Sequence, residues 1–283
     1  MYMIKVSFLD GGMIFELNKL YSDLGQEAVM NNKNKVVEIY QKYIDLGCNY
    51  ITSCNYGFKP ARLNNWKELV NEMIIILKNV KNKNPNIKIL GSLPPYHSSY
   101  HEGTIDSGFI DFYNYLISNL SIVTNEFIIE TSVSAKHIDA ICSLTYSNIH
   151  ISIYPHNKIT LDEINNIIKK YNNIQSLLVN CCDFNSFQKF FDNIISKIDK
   201  KLILGFYLNK IDELKYNSNN QSIKDLNTYI NDDKLEFYQL YNFFKNSNYK
   251  NLIIGGCCGY GVKEMAELIP IVKKVLHKIN TNN

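Results

Sequence analysis

Two adjacent cysteines, Cys257 and Cys258, lie between glycines in the stretch Ile253-Ile254-Gly255-Gly256-Cys257-Cys258-Gly259-Tyr260-Gly261, where an apolar run stops and a helical pattern begins. Thiolates are soft ligands that suit zinc, and glycines on either side let the backbone turn sharply enough for both sulfurs to face one ion. A third sulfur is available at Cys181, in Leu178-Val179-Asn180-Cys181-Cys182 at the end of another apolar run. Cysteine pairs also serve as small buried hydrophobes; the flanking glycines and the second cysteine-bearing strand end favour metal chemistry instead. Two acids occupy comparable places. Asp10 precedes Gly11-Gly12 and could simply shape a turn, whereas Glu130 follows Phe127-Ile128-Ile129, where an acid beside a buried strand needs a partner. Two acids facing one space suit an ammonium group.

The elements that must position these residues follow a repeating pattern, a short β-branched run and then a longer amphipathic segment. The runs fall at 4–9, 50–54, 87–90, 127–129, 149–153, 176–179, 202–207 and 252–254. Val37, Tyr40 and Ile44 share one helical face closed by Gly47 as a C-terminal cap. Thr160 with Glu163 three residues on reads as a capping box, followed by Ile164, Ile167, Ile168 and Tyr171 on the apolar face. Strand–helix repeats of this number predict a (β/α)8 TIM-type barrel as a single domain over 1–283, with an open doubly wound sheet as the alternative. In a barrel Asp10, Cys54, Glu130, Cys181 and Cys257-Cys258 all gather at the mouth formed by the strand C-termini, the face on which barrel enzymes carry their active sites. Pro270 interrupts the last helical pattern and predicts a kink or two short helices. The polar, Asn-rich stretch 210–234 predicts a mobile loop over the mouth, a lid that excludes water.

Composition narrows the function classes. A formal charge of +3 from 30 basic and 27 acidic residues, without a basic run interleaved with aromatics, gives no footprint for nucleic acid. The longest apolar run, Met73 to Leu77, is too short for a bilayer, and Met1-Tyr2-Met3-Ile4-Lys5 does not open like a signal peptide, so a cytoplasmic protein is expected. Seven cysteines, an odd number, favour free thiols or metal ligands over a disulfide framework. Cys48 and Cys142 read as packing, Cys182 as packing or support, and Cys54 as ambiguous. His97 and His101 have a spacing that suits metal only on a helix, and Pro94-Pro95 just before them argues for a loop.

Several segments together resemble the homocysteine S-methyltransferase family from end to end. Leu9-Asp10-Gly11-Gly12 with Leu17 is similar to its opening DGxxxxxL motif, Ile51-Thr52-Ser53-Cys54 to its second-strand segment, Gly91-Ser92-Leu93-Pro94-Pro95-Tyr96 to GSxGPY, and Ile129-Glu130-Thr131 to the fourth-strand ET. Val179-Asn180-Cys181 resembles GxNC, and Gly255 to Gly259 resembles GGCCG.

The resemblance implies a zinc enzyme that moves a methyl group to the thiol of homocysteine, giving methionine. Carried over by motif, Cys181, Cys257 and Cys258 would be the catalytic zinc ligands. Asp10 and Glu130 would hold the amino group of homocysteine, with Ser53 and Asn180 as further substrate contacts. Three protein thiolates leave the fourth zinc position to the substrate sulfur. S-methylmethionine or S-adenosylmethionine suits a lone barrel as donor, and betaine serves relatives with the same motifs. A monomer or small homo-oligomer acting on small molecules is expected, without nucleic-acid or membrane partners. The sequence departs from the family at Pro94, in a short segment between Tyr56 and Gly91, and at the seventh strand end, where Tyr207-Leu208-Asn209-Lys210-Ile211 stands for Y-P-N-S-G. A catalytically silent zinc- or amino-acid-binding barrel and a vicinal-thiol redox protein are the other readings; turnover separates the first from the enzyme, and metal content separates the second.

Overall fold

Each β-branched run of the sequence becomes a strand. The structure, a computed structural model, describes residues 3–21, 25–156, 159–194, 197–199, 201–210, 237–246 and 250–281. The strands are β1 (Lys5–Phe8), β2 (Tyr50–Thr52), β3 (Lys88–Leu93), β4 (Glu126–Ser132), β5 (Asn148–Ile153), β6 (Ile174–Asn180), β7 (Ile203–Leu208) and β8 (Asn251–Gly256). Their order is β1-β8-β7-β6-β5-β4-β3-β2, with every neighbour parallel. A parallel bridge from Leu9 to Tyr50 joins the two outer strands and closes the sheet. The fold is therefore the expected single-domain (β/α)8 barrel, and the open sheet is excluded.

Parallel neighbours need crossovers, and helices supply them. They are α1 (Met13–Asn18), α2 (Gln26–Asn31), α3 (Lys33–Leu46), α4 (Trp66–Lys83), α5 (Ser107–Leu120), α6 (Ala135–Cys142), α7 (Leu161–Lys170), α8 (Phe184–Ile194), α9 (Phe237–Asn246) and α10 (Val262–Thr281). Gly47 ends α3 in the left-handed region at φ 101°, and Thr160 with Glu163 forms both bonds of the capping box of α7. Pro270 does not divide α10, which runs on as one helix. Its missing N–H falls on the exposed face, where the carbonyl of Ala266, also exposed, can turn to water instead. Of the expected 210–234 loop, all but Lys210 lies outside the described residues.

Strand alternation sorts the barrel interior into layers. Leu90, Ile128, Leu178 and Ile253 form an apolar floor inside the barrel, while their neighbours Ile89, Phe127, Ile129, Leu177, Val179, Leu252 and Ile254 pack outward on the helices. Two residues below that floor lie Lys88, Glu126 and Ser176, which with His150 close the N-terminal end: His150 Nδ1 lies 2.8 Å from Ser176 Oγ, its Nε2 lies 3.1 Å from Glu126, and Lys88 Nζ lies 3.3 Å from Glu126. Two residues above it the same alternation brings Ser92, Glu130 and Asn180 inward. The polar layer at the mouth is thus set by register.

Candidate active site

The two cysteine loops meet because the end of β7 lies between them and bonds to both. Cys181 N–H donates to Tyr207 O and Asn209 N–H to Cys182 O on one side; Cys257 N–H donates to Leu208 O and Lys210 N–H to Cys258 O on the other. All four are main-chain contacts, so the unusual side chains of Leu208 and Lys210 leave them intact. The loop after β1 presses on the same place: Gly12 N–H donates to Tyr260 O at 2.8 Å, and a Cβ on Gly12 would come within 2.5 Å of Cys257 O. Gly259 completes the turn at φ 77°.

These contacts bring Cys181 Sγ to 2.8 Å from Cys257 Sγ, and Cys258 Sγ to 4.0 Å from Cys257 Sγ. All three ligand atoms lie within 4.8 Å of one another, and the three cysteines are free thiols. A tetrahedral zinc with bonds near 2.3 Å separates its sulfurs by about 3.8 Å, so an ion fits once the Cys181–Cys257 pair opens by about 1 Å. The donor set of three sulfurs on two converging loops fits a soft divalent metal and leaves a fourth position open. Cys181 is pushed up from the ordinary thiol range by its bonds to Cys257 and Cys258, and Cys258 is held well below it by hydrogen bonds from Cys181 and Cys257. One sulfur thus ionises first while the others donate to it.

The two acids come from different strands: Glu130 lies in β4, and Asp10 follows β1 beside β8, its carbonyl accepting from Gly256 N–H at 3.1 Å. Asp10, 1% exposed, accepts from Thr52 N–H at 3.0 Å and from Thr52 Oγ at 3.1 Å. Burial raises its carboxyl well above the usual range, and Glu130 adds to the rise. Glu130 accepts a short hydrogen bond from Ser92 Oγ. Burial pushes its carboxyl up to about 7, opposed by the Ser92 bond and reinforced by Cys258. Glu130 lies inside β4 rather than after it, because the strand continues through a register shift between Ile129 and Ser132.

Ser53 and Asn180 are buried in the wall with their side chains bonded to protein. Ser53 Oγ donates to Asn55 at 2.6 Å and accepts from Ser92 N–H at 2.7 Å, tying β2 to β3. Asn180 accepts from Ser152 Oγ at 2.8 Å and donates to Thr131 Oγ at 2.9 Å. Thr52, Ser92 and Thr131, given no part by the sequence reading, each bond directly to one of the singled-out polar side chains; each stands inside a motif segment, which was the available signal. Cys48, Cys54 and Cys142 are buried, and burial raises all three thiols, Cys54 and Cys142 to about 12, as suits packing. His97 and His101 sit in a loop and bond to Thr104 O and Ser99 O. Among the described residues the three-cysteine group is the one cluster able to hold a metal. A cleft of about 660 Å³ opens instead at the N-terminal ends of β2 and β3, lined by Asn49, Lys83 and Lys88, away from these cysteines and acids.

The family model for homocysteine S-methyltransferases matches residues 7–272. The chain belongs to the homocysteine S-methyltransferase family. It is a methyltransferase by that membership. Among solved structures it is similar to the homocysteine methyltransferase MmuM from Escherichia coli. The metallated form has 17% identity and a TM-score of 0.68, with 94% of this chain and 96% of that one covered. The oxidised form has 18% identity and a TM-score of 0.69, with 93% and 94% covered. A type I 3-dehydroquinate dehydratase from Clostridium difficile, at 11% identity and a TM-score of 0.53 over 100% of this chain and 94% of that one, shares the barrel. At these identities the likeness is one of fold. No curated protein matches the chain in sequence.

Proposed function

We propose that this methyltransferase is zinc-dependent and moves a methyl group from a sulfonium donor, S-methylmethionine or S-adenosylmethionine, to the thiol of homocysteine, giving methionine. The observation that carries the reading is the convergence of Cys181, Cys257 and Cys258 within 4.8 Å in a chain matched by the family over residues 7–272. Cys181, Cys257 and Cys258 would hold the ion, which when bound acts as a Lewis acid that lets the substrate thiol lose its proton near neutral pH.

The chain's own residues do the rest. Glu130 and Asp10 form an anionic wall for the ammonium group of homocysteine, and that positive charge draws the Glu130 proton off. Ser92 and Thr52 fix the two carboxylates by hydrogen bonds, so the amino end of the substrate has one orientation and its sulfur is directed to the cysteine side. Ser53 and Asn180 support this wall from within. The reaction is an in-line displacement: a lone pair on the homocysteine thiolate forms the new S–CH₃ bond as the donor's S–CH₃ bond breaks, and the departing pair leaves the sulfonium as a neutral thioether. No proton is transferred in that step, so catalysis rests on alignment and on the electron density of the attacking sulfur. With a divalent ion bound, the thiolates of Cys181, Cys257 and Cys258 would leave a net charge of −1, which would keep that sulfur electron-rich and attract a cationic donor. Among the described residues no helix is long and apolar enough to cross a membrane. We take the enzyme to act in the cytoplasm on small molecules, as a monomer or small homo-oligomer.

The test is methionine formation by zinc-loaded protein from homocysteine with S-methylmethionine, S-adenosylmethionine or betaine offered separately, beside a Cys258→Ala control. Turnover with a sulfonium that vanishes in the control is expected. Turnover with betaine alone overturns the donor assignment, and no turnover with any donor in zinc-replete protein overturns the reading.

A further inference from the structure

Three non-glycine residues among those described have left-handed backbones: Tyr100 at φ 67°, Thr131 at φ 52° and Cys181 at φ 55°. The conformation is rare outside glycine and is most costly for a β-branched residue such as threonine, so surrounding contacts must hold it. One hydrogen-bonded chain runs through Thr131 and includes the residues just before the other two, Asn180 and Ser99. Ser152 Oγ donates to Asn180, the residue before Cys181. The Asn180 amide donates to Thr131 Oγ at 2.9 Å. Tyr56 OH donates to the same oxygen at 3.3 Å and lies 2.8 Å from Ser99 Oγ, beside Tyr100. Ser152, Asn180 and Thr131 are at most 2% exposed, so no solvent competes for these bonds.

The geometry points to Thr131 as a positioning residue, its hydroxyl the joint that fixes the Cys181 strand end, the Glu130 carboxylate and the β3–α5 loop relative to one another. The inference rests on the zinc and ammonium roles proposed above. Both lone pairs of the hydroxyl are engaged, one from β6 and one from the loop after β2. A residue with the threonine shape but no oxygen would leave the Asn180 amide buried without this acceptor and the Tyr56 hydroxyl held by Ser99 alone, so that the link between them is cut. Asn180 immediately precedes a metal-holding cysteine, and Thr131 immediately follows Glu130. A shift at this joint therefore moves the thiolate side and the carboxylate side together, although Thr131 touches neither reacting group.

The test compares Thr131→Val, which keeps the shape and loses the oxygen, with Thr131→Ser, which keeps the oxygen. In zinc-loaded full-length protein, homocysteine affinity is measured by calorimetry, zinc affinity by chelator competition, and kcat and KM separately. Thr131→Val is expected to weaken both affinities about tenfold or more, the range for loss of a supporting partner at a metal site, with KM rising in step. Thr131→Ser is expected to restore both to within about threefold of the parent. Valine behaving as the parent, or serine as impaired as valine, overturns the inference. Should Thr131→Val not fold, Tyr56→Phe cuts the same chain one bond away; a fall in homocysteine affinity with unchanged melting temperature supports the joint, and parental affinity overturns it. A parent protein that binds no zinc would instead defeat the proposed function itself.

Discussion

Cys181 Sγ and Cys257 Sγ lie 2.8 Å apart across 76 residues of sequence, and neither belongs to the other's strand. Their meeting depends on β7, whose last residues bond to both loops. Each sulfur is a full third of the proposed metal coordination by protein. Replacing any one of Cys181, Cys257 or Cys258 by serine should lower zinc content to well under one ion per chain and turnover by more than the roughly 10–100-fold typical of losing a mere supporting contact. Elemental analysis after dialysis, paired with a methionine assay, checks this. Retention of one tightly held zinc by the Cys181→Ser protein would remove that residue from the ligand set.

Glu130 should make homocysteine binding depend on pH near neutrality. Its carboxyl is pushed up to about 7 by burial, so the free protein carries it protonated below that value. A carboxyl whose folded pKa is raised contributes stability that is full below the ordinary carboxylate range and is lost as pH rises through about 7. The substrate ammonium reverses the balance by favouring the carboxylate. Affinity should therefore rise as pH increases from 6 to 8, with proton release on binding at the lower end, and Glu130→Gln should bind weakly at every pH. Calorimetry in two buffers of different ionisation enthalpy reads the proton count, to which the substrate thiol also contributes; the same count at pH 6 in the parent and in Glu130→Gln would refute the coupling.

Asp10 should show activity and stability pulling apart. Burial raises its carboxyl well above the usual range, which means the folded protein bears a cost for the charged form despite two hydrogen bonds from Thr52. Asp10→Asn keeps the shape and relieves that cost. The variant should melt no lower than the parent while its KM for homocysteine climbs about tenfold, the loss expected when one charge-assisted hydrogen bond becomes neutral. An unchanged KM would confine Asp10 to a role in the turn.

The site was legible in the sequence to the extent that strand ends carry it. Asp10, Glu130, Cys181, Cys257 and Cys258 each stand where an apolar run stops, and a parallel barrel collects such ends on one face by topology alone. The supports were harder to read because they depend on register between strands distant in sequence. Nothing in Gly91-Ser92-Leu93 says that Ser92 faces Glu130, 38 residues on; that follows only once Ser92 pairs with Ile128 and the alternation of the pleat turns both side chains inward. The left-handed turn at Thr131 gave no sequence signal either, since threonine is among the residues least suited to it. Pro270 misled for the opposite reason: a strong local rule yielded to its position on the wet side of α10.

Gly12 offers a test of how closely the first loop must approach the cysteines. It is not in a left-handed conformation, so backbone freedom is not what requires glycine there. Space is: a methyl group would meet Cys257 O at 2.5 Å, and that oxygen belongs to backbone already bonded to Tyr260 N–H at 3.1 Å. Neither side can yield by rotating a side chain, so the loop carrying Asp10 must move away from the loop carrying Cys257 and Cys258. Gly12→Ala should cost about 1–3 kcal/mol in urea unfolding, the range for a methyl forced into a packed interior. It should also weaken homocysteine and zinc binding together, whereas Asp10→Asn weakens homocysteine alone. A Gly12→Ala protein of parental stability and parental zinc affinity would show that the two loops are not held in register by this contact.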